Sequence, residues 1–490
     1  MKLKVQIIKI AAGKPVIFLH EYSAKKIGVH TGDRVTIKKN GNTVVAIVDL
    51  ASGFIKQGEA ALSEELVKVL AADAQGYIDV VQTETAESSA ILHDNLKYNN
   101  YSAKDLQKIM QDIVNNRLTE AEIAYFITGV NHYGMSHKEI IYLTEAIVKT
   151  GVRIKWKHKI IADKHSIGGI AVNRTTPIVV SICAAAGVIM PKTSSRAISS
   201  AAGTADTIES IAQVSLSISE LKKVVNKTGA CLVWGGSLGL APADDKLIRV
   251  EKMLRIDPEA QLLASILAKK IAVGSTHVVI DIPFGNGAKV SRQHAEKLGQ
   301  LFTSIGKKLG LTIKVVLTDG KEPIGNGIGP VLEMRDVFRV LKQDNSPKDL
   351  EHKALFLAGA VLEMVGKSKK GQGMLKAKEI LYSGLAYEKF AEIITAQGGD
   401  PKQWLPEAKY HHNILSNYSG IIKHIDNKSI NYIARLAGCP VDKASGIYLY
   451  KHIGSNIKKE EKIITIYSES KEKLREAIRF FKKQKPIVIN

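Results

Sequence analysis

The run KTSSRAISSAAGTADTIE, Lys192 to Glu209, crowds hydroxyls, one arginine and one glycine into a span with little large apolar content after Ile198. Such a span adds little to a core, but its small residues let backbone amides and hydroxyls come close to a bound anion. Just upstream, a strand-like KIIAD leads into DKHSIGG, Asp163 to Gly169. Its two glycines let backbone amides face a ligand, Lys164 adds a point charge and Ser166 a hydroxyl. An apolar helix-like run, Pro177 to Val188, joins the two segments. A strand, a small-residue turn, a buried helix and a hydroxyl-rich turn predict an α/β unit with one pocket for phosphate and a sugar-bearing ligand. TADTIESIAQV, starting at Thr204, reads as a helix whose first amides suit an anion. Asp206 and Glu209 read as capping or positioning that loop. His165 is open to two readings, a general acid poised near neutral pH or a hydrogen-bonded structural histidine.

Outward from this centre, strands and helices alternate over residues 156–400, as in THVVIDIP, then SRQHAEKLGQLFTSIGKKLG, then TIKVVLTDG. That alternation predicts a large α/β phosphate-binding domain with a mainly parallel sheet. Within it KSKKGQG, Lys367 to Gly373, is a basic loop open to two readings, a plain surface turn or a lid over an anionic substrate. Residues 1–85 carry short β-type runs separated by turn signals, NGN at Asn40 to Asn42 among them, and predict a small barrel-like or sandwich domain. That segment holds no catalytic constellation, so its expected role is structural or in oligomerisation. Residues 90–155 switch to helical spacing, with N-caps at Ser102, Thr119 and Ser136, acidic partners Glu122 and Glu139, and a stop at Gly151. This small helical domain is expected to be joined by residues 240–270. Residues 405–490 mix strands with a helix near Ser470 to Lys485 and predict a small α+β domain.

At 490 residues the chain is long enough for several domains. No apolar run approaches the ~20 residues that span a bilayer. The N-terminal MKLKVQIIKI has neither an apolar core nor a cleavage site of the secretory kind. Cys183, Cys231 and Cys439 are isolated and fit neither a metal site nor a disulfide framework, which suits a reducing cytoplasm. The net charge of +21 has three readings: a solvated lysine-rich surface, steering of anionic substrates, or a nucleic-acid partner. No RNP, helix-turn-helix or zinc-finger pattern accompanies it.

The quoted segments resemble the thymidine phosphorylase family of nucleoside phosphorylases. KTSSRAISSAAGTADTIE is similar to that family's signature, DKHSIGG to its phosphate loop, LLASILAKK (Leu262 to Lys270) to its base-binding helix, and APADD (Ala241 to Asp245) also matches. The likeness runs in order over residues 90–490. The first 85 residues are similar to the extension of a longer branch, which includes AMP phosphorylases and bacterial proteins labelled thymidine phosphorylase. The resemblance implies that Lys164, Ser166, Ser194 and Thr204 hold phosphate, with Thr175 or Thr176 adding a hydroxyl. It implies a substrate site of Gly169, Ser195, Arg196, Ala197, Ile198, Ser199, Ser200 and Thr204. Ser265 and Lys269, four apart on one helix face, resemble the pair that reads a base edge. Lys289 resembles a substrate-binding lysine of the AMP branch, and Asp257 its proton donor, although Asp-Pro-Glu is also an ordinary helix start. Departures exist. The family's base-reading arginine has no in-register match, since Arg249 is one residue out of step. The KHS of DKHSIGG is closer to thymidine phosphorylases, whereas AVNRTTP and SSRAIS are closer to the longer branch.

The expected reaction is phosphorolysis of a pyrimidine nucleoside, with thymidine first, giving free base and (deoxy)ribose 1-phosphate. The alternative is phosphorolysis of AMP or another nucleoside 5′-monophosphate to base and ribose 1,5-bisphosphate. Phosphate must be held in line, and the departing base stabilised by a donated proton or hydrogen bonds. Asp257 or His165 is expected to supply the proton. No cofactor and no metal is expected, because phosphate is a co-substrate. The expected partners are the small-molecule substrates and further copies of the chain, as a homodimer or larger homo-oligomer. Neither a membrane nor nucleic acid is expected. Two readings of other kinds stand beside this one: a non-catalytic nucleic-acid-binding protein, supported only by charge, and an anthranilate phosphoribosyltransferase-like enzyme, whose acidic metal–diphosphate loop the chain lacks.

Overall fold

The computed structural model describes residues 1–73, 76–98, 100–197 and 200–490. The chain divides into two compact units, Met1–Thr150 with Pro242–Leu262, and Gly151–Ala241 with Leu263–Asn490. The last junction falls inside the helix Glu259–Ala272.

In the first unit, alternation of apolar and polar residues closes a six-stranded barrel. Its strands are Lys2–Ile7, Val16–Leu19, Arg34–Lys39, Asn42–Leu50, Glu59–Leu62 and Tyr77–Gln82, in the order first, fifth, second, fourth, third, sixth. Leu3, Val5, Ile17, Val35, Ile37 and Val48 point inward, while Lys2 and Lys4 stay exposed. The NGN turn closes on Asn40 and Gly41, both with positive φ (50° and 81°), between paired Lys39 and Asn42. Positive φ at both central residues matches the right-handed twist of the flanking strands. The helices Ala103–Val114, Glu120–Tyr133 and His137–Lys149 each begin with a reciprocal capping box, Ser102 with Asp105, Thr119 with Glu122 and Ser136 with Glu139. The helix Pro242–Leu254 returns to them through Lys246, whose Nζ donates to the carbonyls of Ile113 and Val114 at 2.9 and 2.8 Å. A cation on the last carbonyls of a helix satisfies them and complements the dipole.

The second unit has parallel strands, split between two sheets rather than gathered in one. Thr312–Asp319, His277–Phe284 and Ala162–Ser166 form one sheet, and Met190–Ser194 pairs with Ala230–Trp234 in the other. A bond from Ala162 N to Ile189 O (2.9 Å) joins them at their near ends. Beyond it the strands are tied through side chains, Lys192 Nζ lying 3.3 Å from Asp163 Oδ1. The helix Thr175–Ala185 is apolar all round and buried among the helices Pro330–Lys342, Lys348–Met364, Gly373–Tyr382 and Leu385–Ala396. Gly327–Ile328 leaves this α/β region to edge a four-stranded antiparallel sheet with Gly446–Leu449, Lys462–Ser468 and Tyr410–Leu415. An isoleucine-rich core under the helices Asn427–Leu436 and Lys471–Gln484 completes it.

The Lys367–Gly373 loop is a tied turn, not a lid. The Glu363 carboxylate accepts from the amides of Gly371 and Gly373 at 2.9 and 3.0 Å. A Cβ built on Gly187 would meet Lys367 Nζ at 3.5 Å, and Gly187 lies past the C-terminal end of Thr175–Ala185. That helix is about 16 Å long, and Lys164 is at its other end. Gly151 also has a different reason from the one expected. The helix before it is capped by Thr150, and a Cβ on Gly151 would sit 2.1 Å from the Leu240 carbonyl oxygen.

Candidate active site

Ser166 and Ser194 are the last residues of their strands, and Gly285 to Lys289 follows His277–Phe284. Ser166, Ser194 and Lys289 therefore lie at or just beyond the carboxyl ends of parallel strands, where open α/β folds bind ligands. Alternation along Ala162–Ser166 sends its side chains to two faces.

Lys164 and Ser166 share one face. Lys164 is 2% exposed, and its Nζ donates to Thr175 Oγ1 at 2.9 Å. Parallel register sets Ser166 beside Asp281. Asn173 Nδ2 donates to Ser166 Oγ at 3.2 Å and to Asp281 Oδ2 at 3.3 Å. Burial lowers Lys164 to about 8, with Asp281 opposing and Lys353 and Arg174 adding to the fall.

Asp163 and His165 share the other face. The fully buried Asp163 receives Lys270 Nζ at 2.8 Å, with Lys192 at 3.3 Å. Burial opposes its ionisation, but the two lysines outweigh it and hold the carboxyl below its usual range. Burial, followed by the charges of Lys270, Lys192, Lys164 and Lys269, drives His165 well below its ordinary value, although the residue as a whole is only half-buried. At neutral pH His165 is therefore an uncharged imidazole, able to hydrogen-bond but not to deliver a proton as imidazolium.

The turn from Gly168 to Asn173 is conformationally loaded. Gly168 and Gly169 have φ of 82° and 93°, and Val172 and Asn173 have φ of 67° and 82°. A β-branched residue in the left-handed region is strained, a condition that clusters at binding sites. Asn427 holds this turn by accepting from the Ala171 amide at 3.1 Å. A Cβ on Gly169 would lie 2.5 Å from Lys289 Cβ and 2.6 Å from its amide nitrogen, so the glycine allows the two backbones to meet.

The signature run supplies the opposite wall. Ser194 Oγ is buried and has no hydrogen-bond partner among the described residues, a costly state that a bound anion would relieve. Asp206 Oδ2 accepts from the amides of Ala197 and Gly203 at 2.7 and 2.8 Å, which shapes the loop. Arg196 pairs with Glu209 (2.5 Å) and Asp206 (3.3 Å) over the Trp234 ring, so its charge is engaged within the protein. Ser195 is exposed, and Ser200 Oγ donates to Ala202 O at 2.8 Å. Ile198 and Ser199 lie outside the described residues. Thr204 opens a helix of five residues only, Thr204–Ile208, shorter than TADTIESIAQV suggests. Its Oγ1 accepts from Arg174 Nη1 at 2.7 Å, while Arg174 Nη2 donates to Ala202 O at 2.8 Å and Nε to Glu333 at 2.5 Å. Arg174 directly precedes Thr175, so one residue ties the DKHSIGG side to the signature side.

Gly203→Ala tests this wall. Its Cβ would fall 2.4 Å from Ser195 O and 2.6 Å from the Arg196 carbonyl carbon, both backbone atoms that must move. We expect the nucleoside or nucleotide KM to rise about tenfold or more, equivalent to ~1.4 kcal/mol, in a base-release assay. An unchanged KM would remove residues 195–197 from the substrate site.

Ser265 and Lys269 are half-buried positions on one face of Glu259–Ala272, amid buried Leu263, Ala264, Leu267 and Ala268. Lys269 lies close enough to His165 to add to the depression of that ring. Lys289 is exposed. Asp257 belongs to the first unit, where it is exposed two residues before Glu259–Ala272, and the Pro258 carbonyl takes the helix's first bond from Leu262 N at 2.9 Å. Sequence reasoning missed Asp163, Asn173, Arg174, Asp281 and Lys353. The one local signal was a charged residue inside AVNRTTP where an apolar helix begins. Among the described residues, no group of three or more His, Cys, Asp or Glu side chains is placed to hold a metal ion. No described helix is long and apolar enough to cross a membrane. Burial raises all three cysteine thiols, so none is a ready nucleophile.

Comparison with known proteins shows the family. Residues 91–151 match the glycosyl transferase family helical bundle domain, 158–387 its a/b domain, and 421–488 the pyrimidine nucleoside phosphorylase C-terminal domain. The chain is 41% identical over its whole length to the AMP phosphorylase of Thermococcus sibiricus, covering 98% of that protein. It is 40% identical to that of Methanococcoides burtonii, covering 97%. Over 94% of its length it is 41% identical to a putative thymidine phosphorylase of Legionella pneumophila, covering 90%. Anthranilate phosphoribosyltransferase from Thermus thermophilus superposes on 63% of the chain and 99% of its own, with a TM-score of 0.54 at 17% identity, which shows a shared fold. By these domain matches and its full-length likeness to phosphorylases, the chain belongs to the thymidine phosphorylase and pyrimidine-nucleoside phosphorylase family of pentosyltransferases, in the branch that includes AMP phosphorylases.

Proposed function

We propose that the protein phosphorolyses a nucleoside 5′-monophosphate, AMP foremost, to free base and ribose 1,5-bisphosphate. The observation that carries this reading is the presence of two cationic side chains at neighbouring strand ends. Lys164 sits buried on Ala162–Ser166, and Lys289 follows His277–Phe284 with its backbone against Gly169. A nucleotide and inorganic phosphate bring two anionic groups to the site, whereas a nucleoside and phosphate bring one. Full-length identity to proteins named AMP phosphorylase supports the same reading. The expectation of thymidine takes second place, favoured by likeness to a putative thymidine phosphorylase.

In the reaction, a phosphate oxygen bonds to the anomeric carbon as its bond to the base nitrogen breaks, and that electron pair leaves with the base. Lys164, Ser166, Ser194 and Thr204 hold the incoming phosphate, and the N-terminus of Thr175–Ala185 faces it. Ser265 and Lys269 contact the base, while Gly169, Ser195 to Ala197, Ser200 and Lys289 contact the nucleotide. Neutral His165 donates a hydrogen bond, and the proton-donor role of Asp257 rests on its likeness to the AMP branch alone. The cytoplasmic setting and homo-oligomeric assembly expected from the sequence belong to this reading.

The test is base release with phosphate from AMP, CMP, uridine and thymidine. We expect adenine from AMP at the highest kcat/KM. Thymine released from thymidine as fast as adenine from AMP would reverse the order of the two readings.

A further inference from the structure

Asp281 and Lys353 are buried charges that the reaction above does not use. Asp281 is fully buried on the central strand His277–Phe284. Thr318 Oγ1 donates to its Oδ1 at 2.5 Å, and Asn173 Nδ2 to its Oδ2 at 3.3 Å. Lys353, 6% exposed on the helix Lys348–Met364, brings its Nζ to 3.4 Å from Asp281 Oδ2, an ion pair without hydrogen-bond geometry, and has no other partner among the described residues. A buried ammonium held by an ion pair alone adds little net stability, because its desolvation offsets most of its attraction to Asp281. Stability alone does not account for it.

We propose that Asp281 is a positioning carboxylate that sets Lys164 and Ser166 for phosphate, with Lys353 as the counter-charge that limits its hold. This rests on the reading of Lys164 as a phosphate ligand. Register places Asp281 next to Ser166 on the face that carries Lys164, and Asn173 bridges Asp281 to the Ser166 hydroxyl. The charged groups acting on Lys164 come from four elements. Asp281 and Asp163 favour its ammonium, while Lys353 and Arg174 oppose it. With one carboxylate between two lysines, the face carries buried excess positive charge that a phosphate anion neutralises. Asp281 keeps Lys164 charged, and Lys353 prevents the two from closing into a self-satisfied pair that ignores phosphate.

The two residues therefore have opposite effects on one titration. Lys164 must be protonated to grip phosphate, so phosphate KM rises as pH climbs through its value of about 8. Asp281→Asn removes the supporting charge and moves that rise to lower pH by about one unit. Lys353→Met removes the opposing charge and moves it to higher pH. Comparison with the parent enzyme cancels the ionisation of phosphate itself. Phosphate KM is measured from pH 6 to 10 by base release, with the full chain. Opposite displacements support the proposal. No displacement, or displacement in the same direction, overturns it, and Lys353→Met decides alone if Asp281→Asn does not fold. Lys164→Met separates the two levels. If it leaves phosphate KM unchanged, the phosphate-ligand reading fails and this inference with it. If it destroys phosphate use while the other variants keep the parent profile, only the inference fails.

Discussion

Lys164→Met lowers kcat/KM for phosphate by about 10²–10³-fold, the usual cost of removing one preorganised electrostatic contact from a water-excluded site. The ammonium is 2% exposed and bonded to Thr175 at the start of a buried helix, so its position is fixed before phosphate arrives. Methionine keeps the length of the side chain and fills the same space, so the unfolding midpoint changes little. The cost of burying a lysine also disappears, offsetting the lost contact with Thr175. The parent enzyme's phosphate KM rises as pH passes about 8, where the lysine loses its proton, and the variant lacks that rise. Single-turnover base release with saturating nucleotide and varied phosphate reads this directly. Parent-like phosphate kinetics would remove DKHSIGG from the site.

The legible parts of the structure were those set by neighbours in sequence. The capping boxes at Thr119 and Ser136 need only a hydroxyl and a glutamate three residues on, and the NGN turn needs two adjacent residues that tolerate positive φ. DKHSIGG was readable because strand, charge and glycines follow one another. What stayed hidden depends on distant partners. Glu333 is 159 positions from Arg174, and Asp281 108 from Asn173, so no local pattern announces either. The helix from Thr204 stops at Ile208, and Lys443 then takes both the Glu209 carbonyl (3.2 Å) and its carboxylate (3.3 Å). With Arg196 leading and Lys443 adding, that carboxyl falls to about 2, so the contacts persist across the working pH range. Arg196, expected in the substrate site, gave no sign of its internal pairing because its partner Glu209 lies thirteen residues on, across a loop whose return the sequence does not specify.

Arg174→Met is expected to destabilise the protein by about 3–5 kcal/mol, the cost of leaving one member of a buried ion pair uncompensated. For a unit of this size that lowers the unfolding midpoint by roughly 5–10 °C. All three donor groups of Arg174 are used, on Glu333, Thr204 and Ala202, and the side chain is 8% exposed. Glu333 is 1% exposed and keeps only the Gly329 amide (3.1 Å) and the Thr207 hydroxyl (3.3 Å) once the arginine is gone. Burial already holds its carboxyl above the usual range, with Arg174 as the main opposing charge. In the variant that elevation grows. A carboxyl whose folded value lies above its unfolded one weakens the fold increasingly as pH rises through that interval. The deficit relative to the parent is therefore largest at neutral pH and shrinks towards acid, where Glu333 is protonated in both proteins. Adding Glu333→Gln restores part of the stability at neutral pH by removing the stranded charge. It does not restore activity, because Thr204 Oγ1 has still lost the donor that orients it. Thermal unfolding of the three proteins at several pH values, beside phosphate KM, separates the two roles. A single variant that unfolds with the parent at pH 7 would mean that Arg174 neither compensates Glu333 nor joins the two loops of the site.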